Sequence, residues 1–233
     1  MYYRKLLFFM TFFSVSTCFS SESIKLAVEN SWPPYSDING NGISKDIIQK
    51  AFASVNINVE FIVVPYKRAL FLAEVGEVVG AFNVTKQEST TKVFSFGEEA
   101  ILQAEASFYY ENSNKLNVKS ANEIPTGASI ALIIGYEYGN DYEKNKHRFN
   151  EIRVSNQKQI IQLIRNKRVD LAIMFDEVAK YTLREMGLER NDIKQGGINH
   201  KSDIYVAFNK NQETTPLIKL LDQGLRNIKA AEK

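Results

Sequence analysis

Short apolar runs alternate with amphipathic segments along most of the chain. In the clearest unit, apolar residues at 160, 163 and 164 follow helical spacing after Asn156, and the apolar run 169–175 comes next. A helix with one apolar face, followed by a short apolar run, is typical of an α/β unit whose strand is covered on both faces. We therefore expect Asp176 to lie at the carboxyl end of a buried strand, the edge of an open α/β sheet at which ligands bind.

Two blocks of this kind are predicted, one on each side of a polar stretch at 111–122. In the first block, strands are predicted at 24–28, 57–64 and 78–84, with helices between them. This order is typical of a parallel sheet covered by helices. The second block contains the unit that ends at Asp176.

Two crossings between these blocks predict a hinged clamshell that encloses a small ligand. The first crossing is expected near 109–111. The second is expected near 196–201, a polar segment with two glycines that precedes a strand at 204–208. The predicted fold is therefore α/β and two-lobed, with two hinge crossings. The predicted boundaries are a signal peptide over 1–20, lobe 1 over 21–109 and 199–233, and lobe 2 over 110–198.

The N-terminus has the pattern of a secretory signal peptide. Arg4 and Lys5 precede an apolar core at 6–15, and small residues follow as far as Ser20. The alternative of a membrane anchor is disfavoured, because a spanning helix needs about 20 apolar residues. Lipidation of Cys18 is a second, weaker alternative. A cleaved signal predicts secretion, and its bacterial character favours the periplasm.

Charge and cysteine content exclude several classes of function. The chain has 29 basic and 27 acidic residues, and removal of Arg4 and Lys5 with the signal leaves 27 of each. A balanced chain gives no electrostatic reason to expect nucleic acid or an anionic membrane as a partner. The one cysteine, Cys18, lies in the predicted signal, so neither a disulfide framework nor a thiol nucleophile is expected after cleavage.

The sequence offers little catalytic chemistry. It has no phosphate-binding loop, no dinucleotide-binding glycine pattern and no nucleophile elbow. His147 and His200 stand apart from acidic or cysteine residues at metal-ligand spacing, and we expect both at the surface. We therefore predict a protein that is not an enzyme and has no cofactor, no metal site and no catalytic residues.

Aromatic residues on a rigid loop are the first candidates for a ligand site. Pro33 and Pro34 restrict the loop after the first predicted strand and orient Trp32 and Tyr35. The pair either forms one wall of a ligand site or closes the edge of the lobe's core. Tyr136, in a loop that opens a helix of the second block, is a further candidate.

Several short motifs occur in the order typical of one family of binding proteins. They are Trp32-Pro33-Pro34-Tyr35, Pro65-Tyr66-Lys67-Arg68, Val84-Thr85-Lys86-Gln87-Glu88, Gly135-Tyr136, Arg168-Val169-Asp170 and Asp176. In this order and spacing, the chain resembles the bacterial extracellular solute-binding proteins of family 3, which serve ABC transporters for polar amino acids. The resemblance covers nearly all of the chain after the signal. It implies a type II clamshell like that of periplasmic binding proteins.

The resemblance also implies positions for ligand contacts. Asp176 matches the carboxylate that binds the ligand's ammonium group, although Asp176 can alternatively cap the following helix. Asn83 and Thr85 match polar groups at the end of a strand of lobe 1. Loops before two helices of lobe 2 match the sites that face a carboxylate. The candidate contacts are Trp32, Tyr35, Arg68, Asn83, Thr85, Ser89, Tyr136, Ser155, Asn156 and Asp176.

One position departs from the family pattern in a way that affects specificity. The family has an arginine that binds the ligand's α-carboxylate, and this chain has Ser89 there. A serine hydroxyl cannot replace a guanidinium group. Either Arg68 replaces it from the neighbouring helix, or the ligand has no α-carboxylate.

The function implied by the resemblance is capture of a small polar solute, an amino acid or a related compound. The protein is expected to be a periplasmic monomer that delivers this solute to an inner-membrane ABC permease. Two alternatives come from other classes. One is a sensing module that presents its ligand to a signalling receptor, and the other is a dehydratase-like enzyme on the same fold.

Overall fold

The computed structural model describes residues 23–231, so the predicted signal peptide, with Cys18, lies outside the described residues. The strands are β1 (Ser23–Glu29), β2 (Asn58–Val64), β3 (Gly80–Thr85), β4 (Phe94–Phe96), β5 (Leu102–Tyr110), β6 (Ser129–Ile133), β7 (Asn150–Val154), β8 (Leu171–Phe175) and β9 (Lys194–Asn209). The helices are α1 (Ile43–Ala53), α2 (Tyr66–Glu74), α3 (Glu88–Val93), α4 (Asn140–Asn145), α5 (Gln157–Arg165), α6 (Asp176–Glu185) and α7 (Thr215–Ala231). None of the helices within 23–231 combines the length and the apolar composition that crossing a membrane requires.

The strands follow one continuous path through two lobes. Their order is β2-β1-β3-β9-β5-β8-β6-β7, with β4 paired to β9. In lobe 1, β1 is parallel to both β2 and β3, and in lobe 2, β6 is parallel to both β7 and β8. The long strands β5 and β9 pair antiparallel in the middle and connect the two lobes. The predicted α/β architecture of two lobes joined by two crossings is therefore confirmed.

The crossings are strands rather than loops. The sequence predicts a polar crossing near 196–201 and a separate strand at 204–208, but β9 runs unbroken from Lys194 to Asn209. Its two glycines allow close packing, because a Cβ at Gly196 would lie 2.4 Å from the ring of Tyr110. The lobe boundaries at 109/110 and 198/199 fall inside β5 and β9 and stay a prediction.

Two buried clusters form the core. One lies beneath α1 and α7 on the outer face of lobe 1 and includes Phe52, Phe208 and Leu225. The other continues from lobe 1 into lobe 2, with Trp32 and Phe175 among its members. Because the second cluster crosses between the lobes, the clamshell is closed in this structure.

The unit α5–β8–α6 follows the sequence prediction closely. The side chain of Asn156 accepts a hydrogen bond from the backbone N–H of Gln159 at 3.1 Å and so caps α5. All five residues of β8 are buried, as expected for a strand covered on both faces. Asp176 follows immediately as the first residue of α6.

Candidate functional site

The two lobes meet at the carboxyl ends of β1 and β3. A cavity of only about 10 Å³ lies at the centre of this interface. Its lining residues are Glu29, Trp32, Tyr66, Asn83, Thr85, Tyr136, Glu137, Phe175 and Ile204. A single water needs a comparable volume, so the side chains themselves fill the centre in the closed form. Any larger solute must enter while the lobes are apart.

Four aromatic rings surround this centre. The ring of Trp32 lies edge-on to Phe175 of lobe 2, with 5.1 Å between centroids. Tyr66 lies edge-on to Tyr136 of lobe 2, with 4.8 Å between centroids. Tyr35 packs behind Trp32, at 4.2 Å, and is itself buried. These contacts stabilise closure through apolar burial and ring geometry.

Glu29 brings a carboxylate into the interface from the end of β1. Only 2% of its surface is exposed, and it accepts a hydrogen bond from the hydroxyl of Tyr136 in the other lobe. Burial raises the pKa of Glu29 to about 8, although the hydrogen bond from Tyr136 acts in the opposite direction. A buried carboxyl of this kind is most stable when it is protonated or paired with a cation.

Glu137 brings a second carboxylate to the interface, from lobe 2. Its two oxygens accept hydrogen bonds from the Ser89 hydroxyl at 3.0 Å and from the Thr85 hydroxyl at 3.3 Å, both in lobe 1. Burial raises the pKa of Glu137, and the bonds from these hydroxyls lower it. The position that holds a carboxylate-binding arginine in the resembled family thus holds a serine bonded to the protein's own carboxylate.

The loop that carries Tyr136 and Glu137 is fixed from both sides. Gly135 has a φ of 85°, and a Cβ there would lie 3.1 Å from the Cβ of Lys67, so glycine lets the loop approach α2. The guanidinium of Arg153 donates to the carbonyl oxygen of Tyr136 at 2.9 Å. Tyr136 and Glu137 are therefore presented by a well-supported loop.

Asn83 lies in a strained backbone conformation beside the cavity. Its φ is 68°, and the pairing of β3 with β9 shifts register between Phe82 and Val84. Its amide nitrogen donates to the Ser36 hydroxyl at 3.1 Å. Among the described residues, neither its buried Oδ1 nor the buried Nε1 of Trp32 has a hydrogen-bond partner. Strain and unpaired buried polar atoms are features that cluster at binding sites.

Asp176 lies beside the hinge strands and not in the lining of the central cavity. Its carboxylate accepts hydrogen bonds from Tyr109 at 2.9 Å, Ser107 at 3.1 Å and Gln195 at 2.9 Å. The alternative role as a helix cap does not fit, since the N-cap position of α6 is Phe175 and no side chain caps it. Three donors therefore hold Asp176 in place between β5, β8 and β9.

Three of the other predicted contacts, Arg68, Ser89 and Asn156, line two grooves beside the centre. Arg68 and Ser89 line an open groove of about 640 Å³, together with Glu137. The guanidinium of Arg68 stacks on Phe71, 5.0 Å from the ring centroid. Asn156 lines another groove of about 440 Å³ between the lobes. Ser155 hydrogen-bonds Gln159 within its own helix turn.

The structure thus brings four of the ten predicted residues to the cavity: Trp32, Asn83, Thr85 and Tyr136. Sequence reasoning missed Glu29, Tyr66, Glu137 and Phe175. The prediction that His200 is a surface residue is wrong, because its ring packs edge-on to Phe175 at 5.5 Å and burial lowers its pKa to about 4.

No family model and no curated protein sequence matches this chain. Solved structures match its fold. A mutant of the arginine-binding protein ArgBP from T. maritima aligns with a TM-score of 0.74 at 17% identity, covering 90% of each chain. A histidine kinase sensor domain, described as similar to periplasmic binding proteins, has a TM-score of 0.76 at 14% identity and covers 90% of this chain and 91% of that chain. An ancestral amino acid-binding protein, described as a precursor of cyclohexadienyl dehydratase, has a TM-score of 0.71 at 14% identity, covering 89% and 90%.

Similarity at these identities concerns the fold. The chain has the two-lobed architecture of periplasmic-binding-protein-like domains, as the sequence resemblance implied. By their descriptions, two of these structures are amino acid-binding proteins, one of them a precursor of an enzyme, and the third is a sensor domain. The fold is therefore compatible with ligand binding and leaves the role open.

Proposed function

We propose that this protein captures a small polar solute, an amino acid or a related compound, between its two lobes. The observation that carries the proposal is the pair of buried, unpaired polar atoms at the interlobe cavity, Asn83 Oδ1 and Trp32 Nε1. When the lobes close, a polar solute would pair with Asn83 Oδ1 through an N–H group or with Trp32 Nε1 through an acceptor atom. The fold supports this role, since the similar structures include amino acid-binding proteins.

The binding step would follow from the hinge. The ribbon of β5 and β9 connects the lobes, and its register shifts beside Ser107 are places where an antiparallel pair bends readily. In an open form, the solute reaches the aromatic walls, Asn83 and Thr85. Closure then brings the loop of Tyr136 over it and removes water. Asp176, held at the hinge outside the cavity lining, is proposed to add to the negative charge that attracts a positively charged solute.

We place the protein in the periplasm, as a monomer that presents its closed, loaded form to an inner-membrane ABC permease. The predicted signal peptide over 1–20 is the basis for secretion. A signalling role is the second candidate, because a histidine kinase sensor domain shares this fold at a TM-score of 0.76. A dehydratase-like enzyme is a third and weaker candidate.

A thermal-shift screen of the chain from residue 21 onward tests solute capture. Amino acids, amines, oligopeptides, organic acids and sugars are added, and a solute at 100 times its dissociation constant should stabilise the fold by about 2.7 kcal/mol. Each hit is then examined by small-angle scattering, where capture predicts a smaller radius of gyration if the free protein opens. Absence of any hit across all classes would contradict the proposal.

The three roles differ in the event that binding triggers. Transport predicts that the loaded protein stimulates ATP hydrolysis by its permease complex, whereas sensing predicts a change in receptor kinase activity. An enzymatic role predicts that the bound compound is converted. Product formation is measured over hours, with protein and compound at equal concentrations. Unchanged solute would exclude the enzyme.

A further inference from the structure

We propose that the interlobe site takes a compact organic cation, an amine or a guanidine, that has no carboxylate group. This inference rests on the proposed solute-binding function and names the chemical class of the solute. Its basis is the composition of the central cavity. The cavity is lined by two acidic residues, Glu29 from lobe 1 and Glu137 from lobe 2, and by aromatic rings.

The two carboxylates approach the cavity from opposite lobes. Glu29 ends β1 in lobe 1, and Glu137 belongs to the loop of lobe 2 that closes over it. Each now accepts its cross-lobe hydrogen bonds from uncharged hydroxyl groups. A cationic N–H group is a stronger donor to a carboxylate than a hydroxyl is, so a cation placed between them would improve on the bonds present.

The walls of the cavity suit a cation as well. Trp32, Tyr66, Tyr136 and Phe175 present four aromatic rings around the two carboxylates. Aromatic faces attract cations, and the attraction is larger where water is excluded. Trp32 is 1% exposed and Tyr136 is 7% exposed, so the site is dry once it closes. Asn83 Oδ1 offers a further buried acceptor to an N–H group.

Positive side chains are missing from this lining. Among the described residues that border the cavity, none is lysine, arginine or histidine. Lys67 and Arg68 line the neighbouring open groove, which shares only Glu137 with the cavity. Arg68 is directed to the ring of Phe71. A buried cation would therefore find acids without competing protein cations, and it would offset the burial of those acids.

A carboxylate on the solute would be disfavoured at the same place. Ser89 and Thr85, the hydroxyl donors of lobe 1 at this position, already bind the carboxylate of Glu137. A solute carboxylate there would lie beside the carboxylate of Glu137, and like charges in a water-poor interface repel strongly. The site thus separates amines from the amino acids that contain the same amine group.

Three pairs of probes test this separation directly: agmatine against arginine, cadaverine against lysine, and histamine against histidine. The members of each pair differ by one carboxylate. We expect isothermal titration calorimetry to give at least tenfold tighter binding for the amine in one or more pairs. Amino acids that bind as tightly as their amines, or more tightly, in every pair would overturn the inference.

Two variants test whether the preference for an amine over its amino acid arises at Glu137. Glu137→Gln keeps a hydrogen-bonding side chain but removes the charge, and it should weaken amine binding at least tenfold. Ser89→Arg places a guanidinium against Glu137 and should reduce the preference for the amine over its amino acid. Glu88→Gln is the matched control, because Glu88 lies next to Ser89 on α3 but is exposed and paired with Lys92. Circular dichroism confirms folding of each variant.

The outcomes separate this inference from the proposed function. If amino acids or organic acids bind and amines do not, solute capture stands and the cation inference is wrong. Unchanged amine affinity in Glu137→Gln also contradicts the inference. If no probe of any class binds, both proposals are wrong.

Discussion

Glu29 is a residue whose acid–base chemistry is strongly altered by the fold. A carboxyl group with 2% exposure would ordinarily be expected next to a cation, yet its cross-lobe partner is the hydroxyl of Tyr136. Burial raises its pKa from 4.5 to about 8, so the folded protein keeps this proton at neutral pH. The free energy of unfolding must therefore depend on pH through Glu29.

Glu29→Gln should become more stable relative to the natural protein as pH rises from 5 to 8. Between pH 4.5 and about 8, the folded state keeps the Glu29 proton that the unfolded state loses, so rising pH favours unfolding. Glutamine does not titrate. We expect the difference in unfolding free energy to move by more than about 1.4 kcal/mol in favour of the variant, the equivalent of one pKa unit.

Urea unfolding at pH 5 and at pH 8 measures this change. Glu88→Gln is the control, because Lys92 lowers the pKa of exposed Glu88 and the group stays ionised over that range. Burial of His200 lowers its pKa to about 4, which destabilises the fold as pH falls below 6.5, but this contribution is common to all the variants. A Glu29→Gln difference that does not change between the two pH values would contradict the assignment.

The sequence rule that selected Asp176 applies equally to Glu29. Glu29 is the last residue of β1 and Asp176 directly follows β8, so both lie at the carboxyl end of a parallel strand, the edge where ligands bind. Glu29 was missed because it precedes a proline-rich loop whose aromatic residues are the more obvious signal. Glu137 was missed for another reason, since only the folded loop brings it to Ser89 of the other lobe.

At the level of single elements, α5 shows how local signals define structure. Its N-cap residue, Asn156, accepts a hydrogen bond from Gln159, as its spacing predicts. The sequence Asn156 to Gln159 has the spacing of a capping box, in which the Gln159 side chain would accept from the backbone N–H of Asn156. In the structure it accepts instead from the backbone N–H of Ser155, at 3.1 Å. The Asn156 side chain therefore stabilises α5 as its N-cap, independently of any contact with a solute.

Asn156→Ala should lower the free energy of unfolding by about 1 kcal/mol, because the backbone N–H of Gln159 loses its acceptor. Asn156→Asp keeps a side-chain oxygen at the cap and should remain close to the natural protein. Chemical denaturation measures the free energy of unfolding of both variants, and equal m-values show that the midpoints can be compared directly. Equal stability of the alanine and aspartate variants would mean that the cap contributes nothing.

Elements with a clear local pattern of apolar residues were predicted well. Elements that depend on pairing with a distant segment of the chain were not. The apolar stripe of α5 and the buried run of β8 are local features, so the sequence alone predicts them. The first half of β9 is polar and contains Gly196 and Gly197, which are poor strand formers. It becomes a strand because it pairs with β5, a partner about 90 residues earlier in the chain, and tertiary pairing overrides local propensity.

At the scale of the whole molecule, hydrogen bonds and rings from both lobes hold the clamshell closed. Tyr136 donates to Glu29, while Ser89 and Thr85 donate to Glu137. All three bonds depend on the loop of lobe 2 that follows β6. Opening must break them together, and the proposed solute would have to replace them when it binds.

The double variant Tyr136→Phe/Glu137→Ala removes these three hydrogen bonds while leaving the aromatic contacts. Each bond contributes about 1 kcal/mol net, so the loss of all three exceeds the value of about 1.4 kcal/mol that changes an equilibrium tenfold. The ratio of open to closed molecules should rise at least tenfold without solute, seen in small-angle scattering as a larger radius of gyration. Tyr142→Phe is the control, because its hydroxyl donates to Glu151 inside lobe 2. If the double variant has the same radius of gyration as the natural protein, these hydrogen bonds do not hold the lobes closed. The contact of Trp32 with Phe175 is then sufficient for closure.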